Sequence, residues 1–288
     1  DFLYAFGLDM LFLATIASIG SRQKILYEVS DIREAMTRPG LYSWAMRSFE
    51  RLMLRWTDVI VVTAPGYRDG YYRGLNVAPG NRFFVMENKL DLDATARPAH
   101  SRTRRGVEPI RIGYFGLLRC PRSWEVLKEL ARRGRGRFLV EVRGRPIAPE
   151  SIPAEAAALD GIAYGGEYVW PDDLAEMYDA VDMVWGCYPY SVRATGNWLW
   201  ARTNRFYEAC YFKRPLVTLK DSADAQIAGE LGIGPVVDLS DIGSTVDRLL
   251  QLTSEQLHEW QTNVDRVDSD VCVYSDDHQR LLQLITSL

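Results

Sequence analysis

The stretch NRFYEACYFKRPLV, Asn204 to Val217, decides the reading of this 288-residue chain. It reads as a short helix carrying one acid, Glu208, then a Lys213-Arg214-Pro215 break, then an apolar strand. Just upstream, VDMVWGCYPY (Val181 to Tyr190) reads as a buried strand running into a loop rich in Tyr, Trp, Gly and Asn. Strand, polar loop, helix start and strand is the order in which an open α/β sheet places ligand groups beyond its carboxyl edge. Glu208 is not explained by capping: were Thr203 or Asn204 the cap, the capping-box partner would be Phe206 or Tyr207. An ion pair with Arg205 at i,i+3 is the remaining plain alternative, worth about 0.2–0.5 kcal/mol.

Working outward, the second half alternates strand and helix. Strands are predicted at Ile110–Gly116, Arg137–Gly144, Gly161–Gly166, Asp182–Tyr188, Pro215–Lys220 and Pro235–Leu239, with helical patterns between them and a helical stretch from Asp241 to Leu288. Six strands with crossover helices make one complete Rossmann-like domain. The first half alternates too, with strands at Leu3–Phe6, Lys24–Val29, Asp58–Ala64 and Arg82–Asn88. Four strands fall short of the usual five or six, about the mean for a sheet, so this domain reads as incomplete. The polar, breaker-rich run Asp91 to Pro109 is the natural linker, and its Arg102, Arg104 and Arg105 read as a solvated hinge segment. The expected division is therefore 1–105 and 106–288, the second part carrying the helical tail.

The turn after the first strand of the second half is GLLRCPRSWEVL, Gly116 to Leu127. Gly116 lets a ligand approach the backbone. Ser123 is a good N-cap for the following helix, whose start offers N–H groups to an anion. Arg119 and Arg122 add permanent positive charge, so the turn can hold a diphosphate without metal; the plain alternative is two solvated arginines. The spacing G-x-G-x-x-G is absent, which argues against a nicotinamide dehydrogenase.

Composition narrows the classes further. Apolar residues make up 47% and charged ones 25%, ordinary for a soluble globular protein. A net charge of −4 argues against a general nucleic-acid binder. Cys120, Cys187, Cys210 and Cys272 are far apart, and read as reduced thiols of a cytosolic protein and not as a zinc site or disulfide framework. His100, His258 and His278 read as surface residues of linker or helical tail. The nearly apolar stretch Phe2 to Gly20 has Asp9 at its middle, which would cost a spanning helix about 2.5–3.5 kcal/mol. Gly7 also splits it, so it reads as a buried strand and a core-facing helix. The chain opens at Asp1 inside an element, as expected of a fragment lacking its N-terminal residues.

These segments resemble the retaining glycosyltransferases of family 4, which have the GT-B fold of two Rossmann-like domains. In that family a Glu-x7-Glu motif places an acid on such a helix against the donor ribose, and a Gly-x-Pro turn leads into the next strand. Glu208 resembles the second acid, and Lys213-Arg214-Pro215 stands where that turn falls. Eight residues earlier stands Trp200, not an acid. Arg119 and Arg122 resemble, by position and charge, the Arg and Lys that hold the donor diphosphate. Asn204 and Arg205 would face the same crevice. Tyr168, in the segment Tyr164-Gly165-Gly166-Glu167-Tyr168, would lie against the base; the plain alternative is a surface tyrosine. YEVSDIRE (Tyr27 to Glu34) is similar to the segment in which a histidine often precedes the aspartate; here that place is Ser30. Asp31, Arg33 and Glu34 remain as polar groups for the acceptor or the reacting sugar, with a helix N-cap by Asp31 the alternative. ENKLDLD, Glu87 to Asp93, resembles the family's Asn-Gly-x-Asp segment, with Lys89 in place of Gly.

The resemblance implies transfer of a sugar from a nucleotide-diphosphate donor to an acceptor hydroxyl with retention, in exopolysaccharide, capsule or other surface-glycan synthesis. Arg119 and Arg122 would stabilise charge on the leaving diphosphate, and Glu208 would hold the donor in attack geometry. No metal or other cofactor is expected. Acceptors in the family include lipid-linked saccharides, compatible with a cytoplasmic protein in peripheral contact with the inner membrane. Two rivals stay open. One is a nucleotide-sugar epimerase of the related fold. The other is a non-catalytic nucleotide-binding partner, to which Trp200 and Ser30 point.

Overall fold

The computed structural model describes residues 2–21, 23–78, 80–91, 109–191 and 196–288. The expected linker lies almost wholly outside these residues, and with it Arg102, Arg104, Arg105 and His100. The chain divides into two compact units, one of Asp1–Asn88, Arg193–Arg202 and Ser275–Leu288, the other of Lys89–Val192 and Thr203–Tyr274.

The first unit runs β1 (Phe2–Phe6), α1 (Gly7–Ala17), β2 (Lys24–Val29), α2 (Glu34–Thr37), α3 (Leu41–Met53), β3 (Val59–Val62), a π-helical stretch Tyr67–Arg73 and β4 (Phe83–Val85). Its four strands are parallel in the order β1-β2-β3-β4. Gly7, at φ +81°, makes the sharp passage from β1 to α1. The β-branched run VIVV of β3 is buried along its whole length, as a central parallel strand requires. On its core side α3 brings in an acid: Glu50, 1% exposed, accepts hydrogen bonds from Tyr27, Tyr72 and Tyr71 at 3.2, 2.9 and 2.7 Å.

The second unit runs β5 (Ile110–Leu118), α4 (Pro121–Gly134), β6 (Phe138–Pro146), α5 (Ile152–Ala157), β7 (Ile162–Tyr164), α6 (Leu174–Asp179), β8 (Met183–Trp185), α7 (Asn204–Tyr211), β9 (Leu216–Leu219), α8 (Ala223–Leu231), β10 (Val236–Val237), α9 (Ile242–Leu250) and α10 (Ser254–Asp265). All described pairings are parallel, in the order β10-β9-β8-β5-β6-β7. The chain winds one way from β5 through β6 to β7 and the other way from β8 outward. The switch point, where such sheets bind ligands, therefore lies between β5 and β8.

Two expectations are corrected. The last helix, α11 (Asp277–Thr286), does not close the second domain. Its Leu281 joins Leu26, Val59 and Val61 in the core of the first unit, with Leu284, Ile285 and Leu288 packed alongside. An amphipathic helix buries its apolar stripe wherever a matching sheet face is open, so the boundary at 106–288 does not describe the tail. Ser123 is not an N-cap. Pro121 takes the first helical position, where its missing N–H costs nothing, and Cys120 is the cap, its Sγ accepting from the Ser123 N–H at 3.4 Å.

Candidate functional site

At the carboxyl end of β5 the backbone turns at Gly116, φ +96°. A Cβ there would lie 2.7 Å from Nη1 of Arg205 and 3.8 Å from the hydroxyl of Tyr168, so two of the sequence-predicted residues meet at a third, Gly116. Arg205 sits in the first turn of α7 and donates from Nη1 to the Phe115 carbonyl at 2.8 Å. Its Nε is buried with no partner among the described residues, a donor held in reserve. The plain ion pair of Arg205 with Glu208 is not the geometry found; the guanidinium is directed to β5.

Glu208, one helical turn further on, is 4% exposed. It accepts a hydrogen bond from the Tyr178 hydroxyl at 2.6 Å, with the Trp170 side chain beside it. Burial holds its carboxyl above the ordinary glutamate value, against the pull of Tyr178, the Arg205 charge and Trp170. Burial likewise raises the Tyr168 phenol, with the charge of Glu208 adding to it and that of Arg205 opposing. Tyr168, Arg205 and Glu208 are thus linked electrostatically, with Gly116 at the end of β5 beside Arg205. Asn204 is exposed at the first position of α7. Thr203, which precedes it, turns its hydroxyl away from the helix and donates to the buried Asp224 at 2.7 Å. The N–H groups at the start of α7 therefore have no side-chain cap.

The two arginines of the β5–α4 turn are used differently. Arg122 donates to the carbonyls of Leu239 and Ser240 at 2.5 and 2.6 Å, and its guanidinium lies 5.2 Å from the ring centre of Tyr190. That ties three loops at the carboxyl edge together. Arg119 is exposed, lies 5.3 Å from the ring centre of Tyr188, and has no carboxylate partner among the described residues. Cys120 joins the same edge: besides capping α4, its Sγ accepts the Tyr190 N–H at 3.3 Å. The loop after β8 is thus fastened beneath both arginines.

Lys213 adopts φ +56°, the left-handed conformation that ends a helix and that glycine ordinarily supplies. Its Nζ donates to the Val267 carbonyl at 2.7 Å and Gln261 donates to its carbonyl at 2.9 Å, so α10 holds the turn. Arg214 is buried and donates to the Tyr178 carbonyl at 2.6 Å and to Asp179 at 3.1 Å.

In the first unit, Ser30 follows β2 and its carbonyl accepts from Tyr67 at 3.0 Å. Asp31 is exposed and accepts from the Asn197 amide. It is not the N-cap of α2, whose N-cap position is Arg33. Asn197 also accepts from the Ile32 N–H at 2.9 Å and from the Tyr67 hydroxyl, which fixes the Ser30–Ile32 turn. Glu34 pairs with Arg38 at 2.7 Å and Arg33 with Asp9 at 2.8 Å. Trp200 lies against the π-helical stretch: a Cβ at Gly70 would fall 2.0 Å from its indole nitrogen, and one at Gly66 would meet its backbone oxygen at 2.5 Å. Its ring packs edge-on with Tyr71 at 5.8 Å. Glu87 pairs with Arg202. Among the described residues no group of three or more His, Cys, Asp or Glu side chains forms a metal-binding cluster. None of their helices is long and apolar enough to cross a membrane.

Sequence reasoning missed Tyr178, Trp170, Asn197 and the Tyr188 and Tyr190 shelf. Only the last had a signal, the aromatic loop after β8; the others depend on which elements meet.

No protein-family model matches the chain. It is 29% identical over 299 residues to the succinoglycan biosynthesis protein ExoL of Rhizobium meliloti (strain 1021), covering 100% of this chain and 73% of ExoL. Among solved structures it is similar to Anabaena HepE in complex with UDP, with a TM-score of 0.65 at 17% identity over 100% of this chain and 79% of that one. It is also similar to sucrose-phosphate synthase from Thermosynechococcus elongatus, with a TM-score of 0.67 at 13% identity over 99% of this chain and 72% of that one. A third is TarM, with a TM-score of 0.65 at 13% identity; this chain, 98% of it matched, spans about half (54%) of TarM. At these identities the structural likeness establishes the fold, that of the GT-B glycosyltransferases.

Proposed function

We propose that the protein is a glycosyltransferase of surface-polysaccharide synthesis that moves a sugar, with retention, from a nucleotide-diphosphate donor to a saccharide or lipid-linked saccharide. The observation that carries this reading is the convergence of Gly116, Tyr168, Arg205 and Glu208 on the switch point of a complete doubly wound sheet. The similarity to ExoL supports the biological role, and HepE, crystallised with UDP, makes uridine the first base to try. In this reading Glu208 accepts hydrogen bonds from the ribose hydroxyls, and Gly116 gives the donor access to the backbone. The diphosphate meets Arg119 and the uncapped start of α7, where Arg205 adds a second guanidinium. Tyr168 borders the base. Arg122 contributes chiefly by fastening the loops. Charge growing on the leaving diphosphate is stabilised by these fixed donors, without a metal ion. Ser30, Asp31 and Glu34 contribute to acceptor recognition, with the Asp31 carboxylate oriented by Asn197.

A second reading, a non-catalytic nucleotide-binding partner, is favoured by one observation. Trp200 stands where the resembled motif has its first acid, and it is spent on packing against Gly66 and Gly70. Nucleotide release from UDP-glucose, GDP-mannose and ADP-glucose, measured with membrane lipid extract as acceptor source, separates the two. Turnover of one donor, lowered about 100-fold or more in Glu208→Ala, supports the transferase. Nucleotide binding without turnover of any donor would move the assignment to the partner.

A further inference from the structure

Strand β10 is the outer edge of the second sheet, and it pairs only with β9. Toward β9, the carbonyls of Pro235 and Val237 accept from the N–H groups of Thr218 and Lys220 at 3.0 and 2.9 Å. Successive residues of a strand point their N–H and C=O to opposite sides, so Val236 directs both of its groups away from β9, as on any edge. Neither group has a backbone partner among the described residues.

A cleft of about 390 Å³ lies along this edge, with Pro235, Val236 and Val237 all in its wall. Side chains of consecutive strand residues point to opposite faces of a sheet, so a cleft lined by all three runs beside the strand and not over one face. Its other walls include the buried Leu249 of α9, the buried Leu252 of the α9–α10 link and the half-buried Trp260 of α10. The one charged residue in the lining is Arg248, in the last turn of α9; it is exposed, and it has no carboxylate partner among the described residues. Thr253 and Gln256, also in the lining, are spent on each other in the capping box of α10. Arg137, at the head of β6, donates to the carbonyls of Leu250 and Leu252. The α9–α10 link therefore lies at the amino edge of the sheet, away from Glu208 and its neighbours at the carboxyl edge.

We propose that this cleft takes the free C-terminus of a partner polypeptide, added beside β10 as a short extended segment. Each feature of the cleft has its counterpart in such a tail. The N–H and C=O of Val236 pair with one residue of the tail, as in strand addition. Arg248 makes a two-pronged, charge-assisted bond to the terminal carboxylate. The apolar side chain of the last residue enters between Leu249, Leu252 and Trp260. Only Val236 offers open backbone groups, since those of Val237 face β9 and Pro235 has no N–H, so the occupant is a tail of a few residues and not a long strand. The volume agrees, falling among clefts of about 300–1,000 Å³ that hold small ligands. The inference stands independently of the transferase reading.

Selection of a library of random peptides displayed with free C-termini, against the immobilised full chain, tests it. The enriched sequences should share an apolar last residue. Fluorescence polarisation with one enriched peptide should show affinity lowered about tenfold or more when its C-terminus is amidated, and by as much in Arg248→Met. Position 248 is exposed, so that variant should keep the melting temperature of the wild type. Val236→Pro, which removes the outward N–H at an edge where proline is tolerated, should lower affinity about fivefold. A library that yields no enriched sequence would overturn the proposal. So would peptides that bind Arg248→Met as well as they bind the wild type. Peptides bound equally well as acid and amide would overturn it too, since the cleft would then read an internal segment and not a terminus.

Discussion

Two glutamates are buried to nearly the same degree, one in each unit, and they do different things. Glu50 and Glu208 are 1% and 4% exposed, both take hydrogen bonds from tyrosine hydroxyls, and burial raises both carboxyls. The difference lies in what surrounds them. The three partners of Glu50 are Tyr27, Tyr71 and Tyr72, all buried, so the group is sealed on every side. Glu208 has one buried tyrosine as donor, and Trp170, 53% exposed, Arg205 and the half-buried Tyr168 stand beside it. In the proposed reading, the buried acid whose surroundings reach the surface is the one that meets ligand. Glu50 holds three tyrosines together beneath α3; in the proposed reading Glu208 sits at the back of a ligand edge.

The largest effect expected from breaking this pair is on stability. Glu50→Ala leaves three tyrosine hydroxyls buried without a common acceptor and should cost about 3–5 kcal/mol. Urea unfolding measures it, and a loss under about 1 kcal/mol would mean the cluster is not the sealed unit described. Glu208→Ala should cost less, about 1–2 kcal/mol, because it leaves one buried hydroxyl, that of Tyr178, without its acceptor and not three.

The pH response sharpens the contrast. Each carboxyl is raised by folding, so each favours the folded state below the ordinary value of 4.5, and that contribution is lost as pH rises through the higher folded value. Stability should therefore fall with pH just above 4.5, and Glu50→Gln and Glu208→Gln should each flatten part of the fall. Only Glu208 should couple to ligand. Ribose hydroxyls donating to its carboxylate would lower its pKa again, so UDP binding should release protons on the acidic side. Calorimetry in buffers of different ionisation enthalpy should find this release in the wild type and in Glu50→Gln, and not in Glu208→Gln.

The smallest pair is Tyr72→Phe against Tyr178→Phe. Each removes one hydroxyl donor and should cost about 1 kcal/mol of stability. Tyr178→Phe alone should also weaken UDP, by about three- to tenfold, because its hydroxyl orients Glu208. Equal effects on UDP would deny the distinction.

The sheet of the second unit was legible because each of its strands is a short apolar run bounded by turn signals, and the crossover helices fix parallel pairing. Glu208 stood out because no capping pattern explained it, and Gly116 because a glycine after a strand lets a ligand approach the backbone. What the sequence did not disclose depends on which element meets which. Trp200 reads as a lost acid until Gly66 and Gly70 are found beneath it. Arg119 and Arg122 are alike in sequence, yet only Arg122 is within reach of the Leu239 and Ser240 carbonyls. Ser123 outranks Cys120 as a cap by propensity, but Pro121 fixes the helix start before it. The last helix carries a strong apolar stripe with nothing local to say which sheet will take it.

The most direct measurement is thermal stabilisation by UDP, with GDP and ADP alongside, in the wild type, Glu208→Ala and Glu50→Gln. At a hundred times its dissociation constant a ligand of the folded state adds about 2.7 kcal/mol. The account predicts that shift for one nucleotide in the wild type and in Glu50→Gln, and its loss in Glu208→Ala. A shift retained in Glu208→Ala, or absent with all three nucleotides in the folded wild type, would contradict it.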